Sequence, residues 1–499
     1  MMKTRDFIAA SAILLMLGKP FLGTAQFSLT GQLRTRTELR DGYGTLETKG
    51  NTPAFFTSQR ARLNFNYRSS RVVFQASLQD VRIWGADAST INNADGSRLG
   101  LHEAWADLIL ANAKDSSLPK SAVEYFSIKI GRQELVYDDQ RLLGNLDWLQ
   151  QARRHDAVVF KLLHKGWQAD LGTAFNQNSD AIGYNGTFYT PANVPPYVKD
   201  SKGNLAPAPA GMVPLANGSG LSTRSGAPLL ASAAGTNGMN QLYKSMQFLY
   251  LAKKFGDTRI AGLALADEFG KYSLDSVRNI AGADTGYIYG RRFNHSGVNT
   301  RLTAGALLTS QLGLQKKWTL QAGYYYQTGK SRDGVSLGAY TTTLSLSYAL
   351  RNFSFIAGWD YLKGGFDPLY GTPHKFWGTM DYFYAASGSP AAGLNNPFFK
   401  AKYTSPGKRF SAEVAYHYFG LADDAKDTKG NTVSKYLGSE VDATLNYGLN
   451  KVTTIELGAS TMAATHSMEY AKGIANGAAR LTANWAYLQV NIRPDFFSK

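Results

Sequence analysis

The sequence predicts an all-β fold, a transmembrane antiparallel β-barrel of about 18 strands with short periplasmic turns and long extracellular loops. Three observations predict it. Polar and apolar residues alternate with a period of two along many segments, and the connections between those segments are alternately short and long. No apolar run reaches the ~20 residues that a membrane-spanning helix needs.

Residues 1–25 read as an export signal rather than as fold. Lys3 and Arg5 are the basic start, Phe7 to Gly18 the apolar stretch, and Gly23-Thr24-Ala25 the small-residue cleavage site. The barrel, read as one domain, then occupies 26–499. Its expected place is the outer membrane of a Gram-negative-type bacterium, in contact with outer-membrane lipid and lipopolysaccharide. The chain has no cysteine, so an exported protein of this length relies on no disulfide. Its formal charge is +16, of which +2 belongs to the signal (Lys3, Arg5 and Lys19 against Asp6), leaving +14 on residues 26–499. Such an excess attracts polyanions. Export argues against nucleic acid and leaves acidic polysaccharide, phosphorylated solutes or lipopolysaccharide.

The first hairpin shows the alternation most clearly. Phe27, Leu29, Leu33 and Leu39 share one face of 26–40, and Gln32, Arg34, Arg36, Glu38 and Arg40 the other. In 56–68, Ala61, Leu63, Phe65 and Tyr67 oppose Arg60, Arg62, Asn64 and Arg68. The same pattern places strands at 71–83, 98–111, 124–132, 154–164, 166–176, 241–255 and 257–270. In the second half it places them at 296–311, 315–329, 338–350, 352–363, 395–404, 408–420, 434–449, 451–464 and 480–492. Tyr287 to Phe293 is a further segment able to pair. Joints such as Ser69-Ser70, Lys165, Gly256, Arg351 and Asn450 are tight, with 112–123 of moderate length, whereas 41–55, 84–97, 133–153, 177–240, 271–295 and 364–394 are long, with 330–337 short. A soluble sandwich has no reason to sort its loops in this way. Tyr67, Trp84, Trp318, Tyr348, Tyr361 and Tyr487 near strand ends fit an interfacial aromatic girdle or ordinary strand propensity.

The polar faces give a mixed lumen with a basic sector. Arg34, Arg36, Arg40, Arg60, Arg62 and Arg68 come from the first hairpin, and Lys129, Arg301 and Arg409 from later strands. The opposing carboxylates are Glu38, Glu103, Asp107, Asp170, Glu413, Glu440, Asp442 and Glu456. A row of guanidinium forks passes a carboxylated solute from site to site, and the carboxylates keep single sites from holding it too tightly. Alternatively, these pairs only satisfy a lumen that must be polar. No metal or cofactor is expected. Asp423, Asp424 and Asp427 lack the spacing of a calcium loop, and His155, His295, His374, His417 and His466 form no two-ligand spacing. His417 near Glu413 is the best pair for an enzyme, without a recognisable nucleophile, so no catalytic residue is expected.

One region carries a resemblance. Leu101-His102-Glu103-Ala104-Trp105-Ala106-Asp107-Leu108 is followed by Gly131-Arg132-Gln133, by Asp138-Asp139-Gln140-Arg141-Leu142 with Gly144, by Asp147-Trp148, and by Arg153-Arg154-His155-Asp156. In that order these elements resemble the alginate-export family of outer-membrane proteins. The resemblance implies a monomeric 18-stranded barrel that passes an acidic exopolysaccharide through an electropositive constriction. It implies that Arg132, Asp139, Arg141, Asp147, Arg153, Arg154 and Asp156 line or brace that constriction. The outer loop 133–153 is too charged to lie in lipid and is able to fold into the lumen, where it would narrow the pore. The other reading makes Asp139, Arg141 and Asp147 a structural salt-bridge knot. The competing functions are an anion-preferring or general porin for small solutes, an outer-membrane hydrolase, and a non-conducting barrel used for adhesion or lipopolysaccharide contact.

Overall fold

Alternating strands that expose apolar side chains on one face and bury polar ones on the other close here into a ring. The computed structural model describes residues 26–85, 99–116, 118, 120–176, 243–278, 287–372, 374–383, 390–427 and 430–498, with short pieces at 197–199, 205–207, 212–214 and 221–222. The signal segment and most of the 177–240 loop lie outside the described residues.

The ring runs β1 (Gln26–Asp41), β2 (Ala54–Arg68), β3 (Val72–Ile83), β4 (Gly100–Asn112), β5 (Tyr125–Gln133), β6 (His155–His164), β7 (Trp167–Phe175), β8 (Tyr243–Phe255) and β9 (Thr258–Arg278). It continues with β10 (Tyr287–Leu312), β11 (Trp318–Lys330), β12 (Ser336–Leu350), β13 (Phe353–Lys363), β14 (Leu394–Thr404), β15 (Phe410–Gly420), β16 (Tyr436–Gly448), β17 (Thr453–Ala464) and β18 (Thr482–Ile492). Each strand pairs antiparallel with its neighbours, and β18 returns to β1 with Arg36 opposite Gln489, so this is a closed 18-stranded barrel. Closure removes every sheet edge, which is what hydrocarbon requires of a spanning sheet.

The barrel is inside-out relative to a soluble protein. Leu33, Leu39, Leu63 and Phe74 are about two-fifths exposed, whereas Arg34, Arg36, Glu38 and Arg60 are buried. The exposed apolar side chains form the lipid face. Tyr67, Trp84 and Trp318 stand on it, but Tyr487 does not: it is buried in the lumen, where its hydroxyl bonds Glu456.

The short connections are tight hairpins. Lys165 and Gly166 both take positive φ (48° and 74°), the combination that lets a two-residue turn follow the twist of its strands. The long connections lie on the opposite side, with one difference from expectation. Instead of a loop over 271–295, β9 and β10 continue past a bulge at Gly270/Lys271 and pair from Lys271–Asn294 to Arg278–Tyr287.

Candidate functional site in the lumen

The connection from β5 to β6 enters the barrel rather than leaving it. Near the end of β5, Gly131 takes φ 121°, where a Cβ would lie 2.3 Å from the Ala104 carbonyl oxygen, so only glycine fits, and the chain leaves the sheet after Gln133. Gln133 then ties the strand end to β6 by donating to the Ala157 carbonyl at 3.0 Å. Leu142, Leu143 and Leu146, at 4, 1 and 0% exposure, form the apolar half of the loop.

They pack against a second inserted loop, between β13 and β14, that sequence reasoning left as an ordinary outer connection. Phe366, Leu369, Tyr370, Trp377, Met380 and Tyr382 of this loop are all buried. The two loops share backbone hydrogen bonds, Tyr370 N to Leu142 O (3.0 Å), Gly144 N to Tyr370 O (3.0 Å) and Thr372 N to Gln140 O (2.9 Å). The available signal was the aromatic content of Leu369-Tyr370 and Phe376-Trp377, too apolar for a loop bathed in water.

The charged half of the first loop binds the wall. Arg34 and Arg60 face each other across β1 and β2, an arrangement that is unfavourable for like charges. Asp147 stands between them, 3.3 Å from Arg34 and 2.8 Å from Arg60. Burial alone would raise the Asp147 pKa, but Arg60 and Arg34 together hold it below the ordinary carboxylate range. Arg34 also donates to the carbonyls of Asp147, Trp148 and Leu149, and Arg36 to that of Trp148, over whose ring it lies at 4.0 Å.

Arg141 reaches Asp360 at 3.1 Å and Asp139 at 3.4 Å. Arg153, fully buried, donates to the Gly371 carbonyl of the second loop. Asp138 accepts from Tyr250 and Arg259, each at 2.6 Å. Arg154 lines the outer chamber described below. Arg132 and Asp156 are elsewhere. They form a two-bond pair (2.8 Å each) on the strand face that carries the exposed Ile130 and Phe160, outside the lumen. Arg62 bonds Gln79 and makes no ion pair among the described residues. Of the lumenal carboxylates, Glu103 accepts from Trp105, Asp107 is buried, Glu413 faces Lys402 at 3.6 Å, and Glu456 accepts from Tyr487. His417 bonds Asn396, and Asp423 and Asp424 pair with Lys363 and Lys435.

The inserted loops divide the lumen into chambers. Toward the long loops, a chamber of about 630 Å³ is bounded by Arg36, Arg40, Arg82, Gln150 and Arg154. Toward the short turns, one of about 470 Å³ is bounded by Lys375, Phe376, Phe398, Lys400, Lys402 and Trp148, and another of about 340 Å³ by Lys129, Glu134, Lys161 and Asp170. Trp148 stacks on His374 with 3.6 Å between ring centres and 8° between planes. Burial, with Arg36 adding to it, keeps His374 well below its usual pKa and therefore neutral.

The loop-bearing first third of the chain has relatives. Residues 25–174 match the Alginate export family. The match runs from β1 through β7 and includes the whole signature around the first inserted loop. The complete barrel is similar to OccAB4 of Acinetobacter baumannii (TM-score 0.54, 13% identity, 96% of this chain and 100% of that one). It is also similar to Pseudomonas aeruginosa OpdQ (TM-score 0.52, 12% identity, 94% of this chain and 98% of that one) and to OpdK of the same organism solved with vanillate (TM-score 0.50, 12% identity, 95% of this chain and 99% of that one). At these identities the likeness is one of fold. No curated protein matches the chain. An alginate-export match over the first third of a barrel with this fold supports an outer-membrane channel.

Proposed function

We propose that this barrel, whose first third matches the Alginate export family, passes an anionic saccharide, a uronate-type oligosaccharide or polymer, past the constriction formed by the two inserted loops. One observation carries the reading. Lys375, Lys400 and Lys402 converge on the inner chamber together with the rings of Phe376, Phe398 and Trp148. Lys400 makes no ion pair among the described residues, and its ammonium lies 5.7 Å from the Phe398 ring centre. A sugar ring carrying a carboxylate offers an apolar face to such rings and an anion to the lysines. In this reading the buried arginines Arg34, Arg36, Arg60 and Arg153 hold the constriction in place, and Arg40, Arg62 and Arg154 add to the field around the outer chamber.

A second reading, a porin for small anions, is favoured by the size of the chambers. At about 340 to 630 Å³ each holds a small molecule rather than a length of polymer. Vanillate, present with the structurally similar OpdK, is a ring carboxylate of that size.

Conductance in planar bilayers separates the two. We expect anion-preferring current that an oligouronate blocks from the short-turn side and a neutral oligosaccharide of equal length does not. Lys400→Gln with Lys402→Gln should weaken the block several-fold while leaving the barrel heat-resistant in detergent. Current unaffected by oligouronate but reduced by monocyclic carboxylates selects the small-solute porin, and cation-preferring current overturns both.

A further inference from the structure

We infer that His102, Glu103 and Glu134 form a binding site for a divalent transition-metal cation in the lumenal wall beside the first inserted loop. The sequence gives no hint of it, because Glu103 and Glu134 are 31 residues apart and successive strand residues normally face opposite sides. Here the register between β3 and β4 shifts between Ser77 and Leu78, whose partners are Glu103 and Leu101, so that His102 is the extra residue of a bulge. A bulge re-aims a side chain, and this one turns both His102 and Glu103 toward the lumen. The inward start of the loop after Gln133 then brings Glu134 to them. One donor atom from each of the three residues lies within 4.8 Å of the other two.

The donors are held. The Glu134 carboxylate accepts from Asn145 Nδ2 at 3.0 Å, and that of Glu103 accepts from Trp105 Nε1 at 2.9 Å and from the Glu134 N–H at 3.4 Å. Hydrogen bonds of this kind fix the orientation of metal ligands. His102 is 1% exposed, its Nε2 is 2.9 Å from Glu134, and its Nδ1 is buried without a hydrogen-bond partner. A ring nitrogen in that state lacks the stabilisation that nearly all buried polar atoms find.

Neither carboxylate has an Arg or Lys within ion-pair distance among the described residues. Lys129 sits over the Trp105 ring at 3.7 Å, and Arg62 bonds Gln79. Two carboxylates and an imidazole therefore converge with no Arg or Lys in direct contact, Arg62, Arg60 and Lys129 acting on them only from a distance, and a divalent ion would supply the direct positive contact. One nitrogen and two oxygens suit zinc-like ions and leave positions open for water or a solute carboxylate. His102 borders the outer chamber and Glu134 an inner one, so the site is reached from either side of the loop.

Calorimetric titration of the refolded, untagged full-length barrel with zinc tests the site without any transported solute, so its outcome is independent of the proposed function. The expected result is one saturable zinc site, weakened about 10- to 100-fold by His102→Ala and by Glu103→Gln, each checked for heat-resistant mobility in detergent. Where His102→Ala does not refold, Glu103→Gln, altered on a partly buried side chain, carries the test. Zinc affinity within twofold of wild type in a folded variant overturns the site. So does calcium binding in place of zinc, since an imidazole contributes little to a hard cation.

Discussion

Arg34 and Arg60 illustrate how a residue read from the sequence as a substrate contact acquires a different partner in the fold. Opposite each other on adjacent strands and almost wholly buried, they are tolerable only because Asp147 descends from the loop between them. Asp147→Asn keeps the shape and removes the charge. Breaking a buried pair from one side costs roughly 3 to 5 kcal/mol, and because the Asp147 side chain is itself 40% exposed the lower end applies, about 3 kcal/mol. We expect the loop to detach while the barrel stays closed, read as higher conductance and new tryptic cleavage at Arg141 or Arg153. Unchanged conductance and cleavage would show that the loop is held by its leucines alone. Because the arginines depress the Asp147 pKa, its contribution is complete above the unfolded carboxylate value of ~3.9 and is lost as pH falls below that.

At the scale of elements, the second inserted loop is the part that responds to pH near neutrality. Asp381 accepts from the Tyr43 hydroxyl and from the His374 N–H, and burial pushes its pKa up to about 7. A carboxyl raised on docking favours the docked loop below its unfolded pKa, and that contribution disappears as pH rises through about 7. Protection of 366–383 from hydrogen exchange should therefore increase from pH 7.5 to about 5, and Asp381→Asn should flatten that slope. Lys472, which donates to the Tyr382 carbonyl and is pushed down to about 7 by burial, works in the opposite sense, favouring the docked loop only as pH rises above about 7. A slope unaltered by Asp381→Asn would assign the response to another group.

For the molecule as a whole, the membrane is the solvent that decides which substitutions are tolerated. Leu63 and Phe74 stand on the lipid face, so an arginine at either position should impair folding by ~2 to 4 kcal/mol near the bilayer midplane. Arg62→Leu, one residue away but lumenal, should fold and shift the reversal potential under a salt gradient toward cations. Heat-modified mobility on gels and bilayer recordings report the two effects. Equal folding defects from both kinds of substitution would contradict the inside-out assignment.

The closed barrel was legible because it follows from local periodicity. Strands such as β1 and β2 alternate lipid-facing and lumen-facing residues with a period of two, and hairpin chemistry such as Lys165-Gly166 marks the tight side. The alternation at 26–40 and 56–68 therefore placed Arg34 and Arg60 in the lumen without any knowledge of the fold. What those arginines touch was not legible, because Asp147 lies more than 80 residues away in sequence and arrives only when its loop turns inward after Gln133. The same holds for Lys400, for the aromatic loop around Tyr370, for the outward placement of Arg132 with Asp156, and for the bulge that aims His102 inward. Periodicity is a property of neighbours along the chain and so survives in the sequence. The constriction is made of contacts between segments that only closure of the ring brings together, and its chemistry was decided by the tertiary structure.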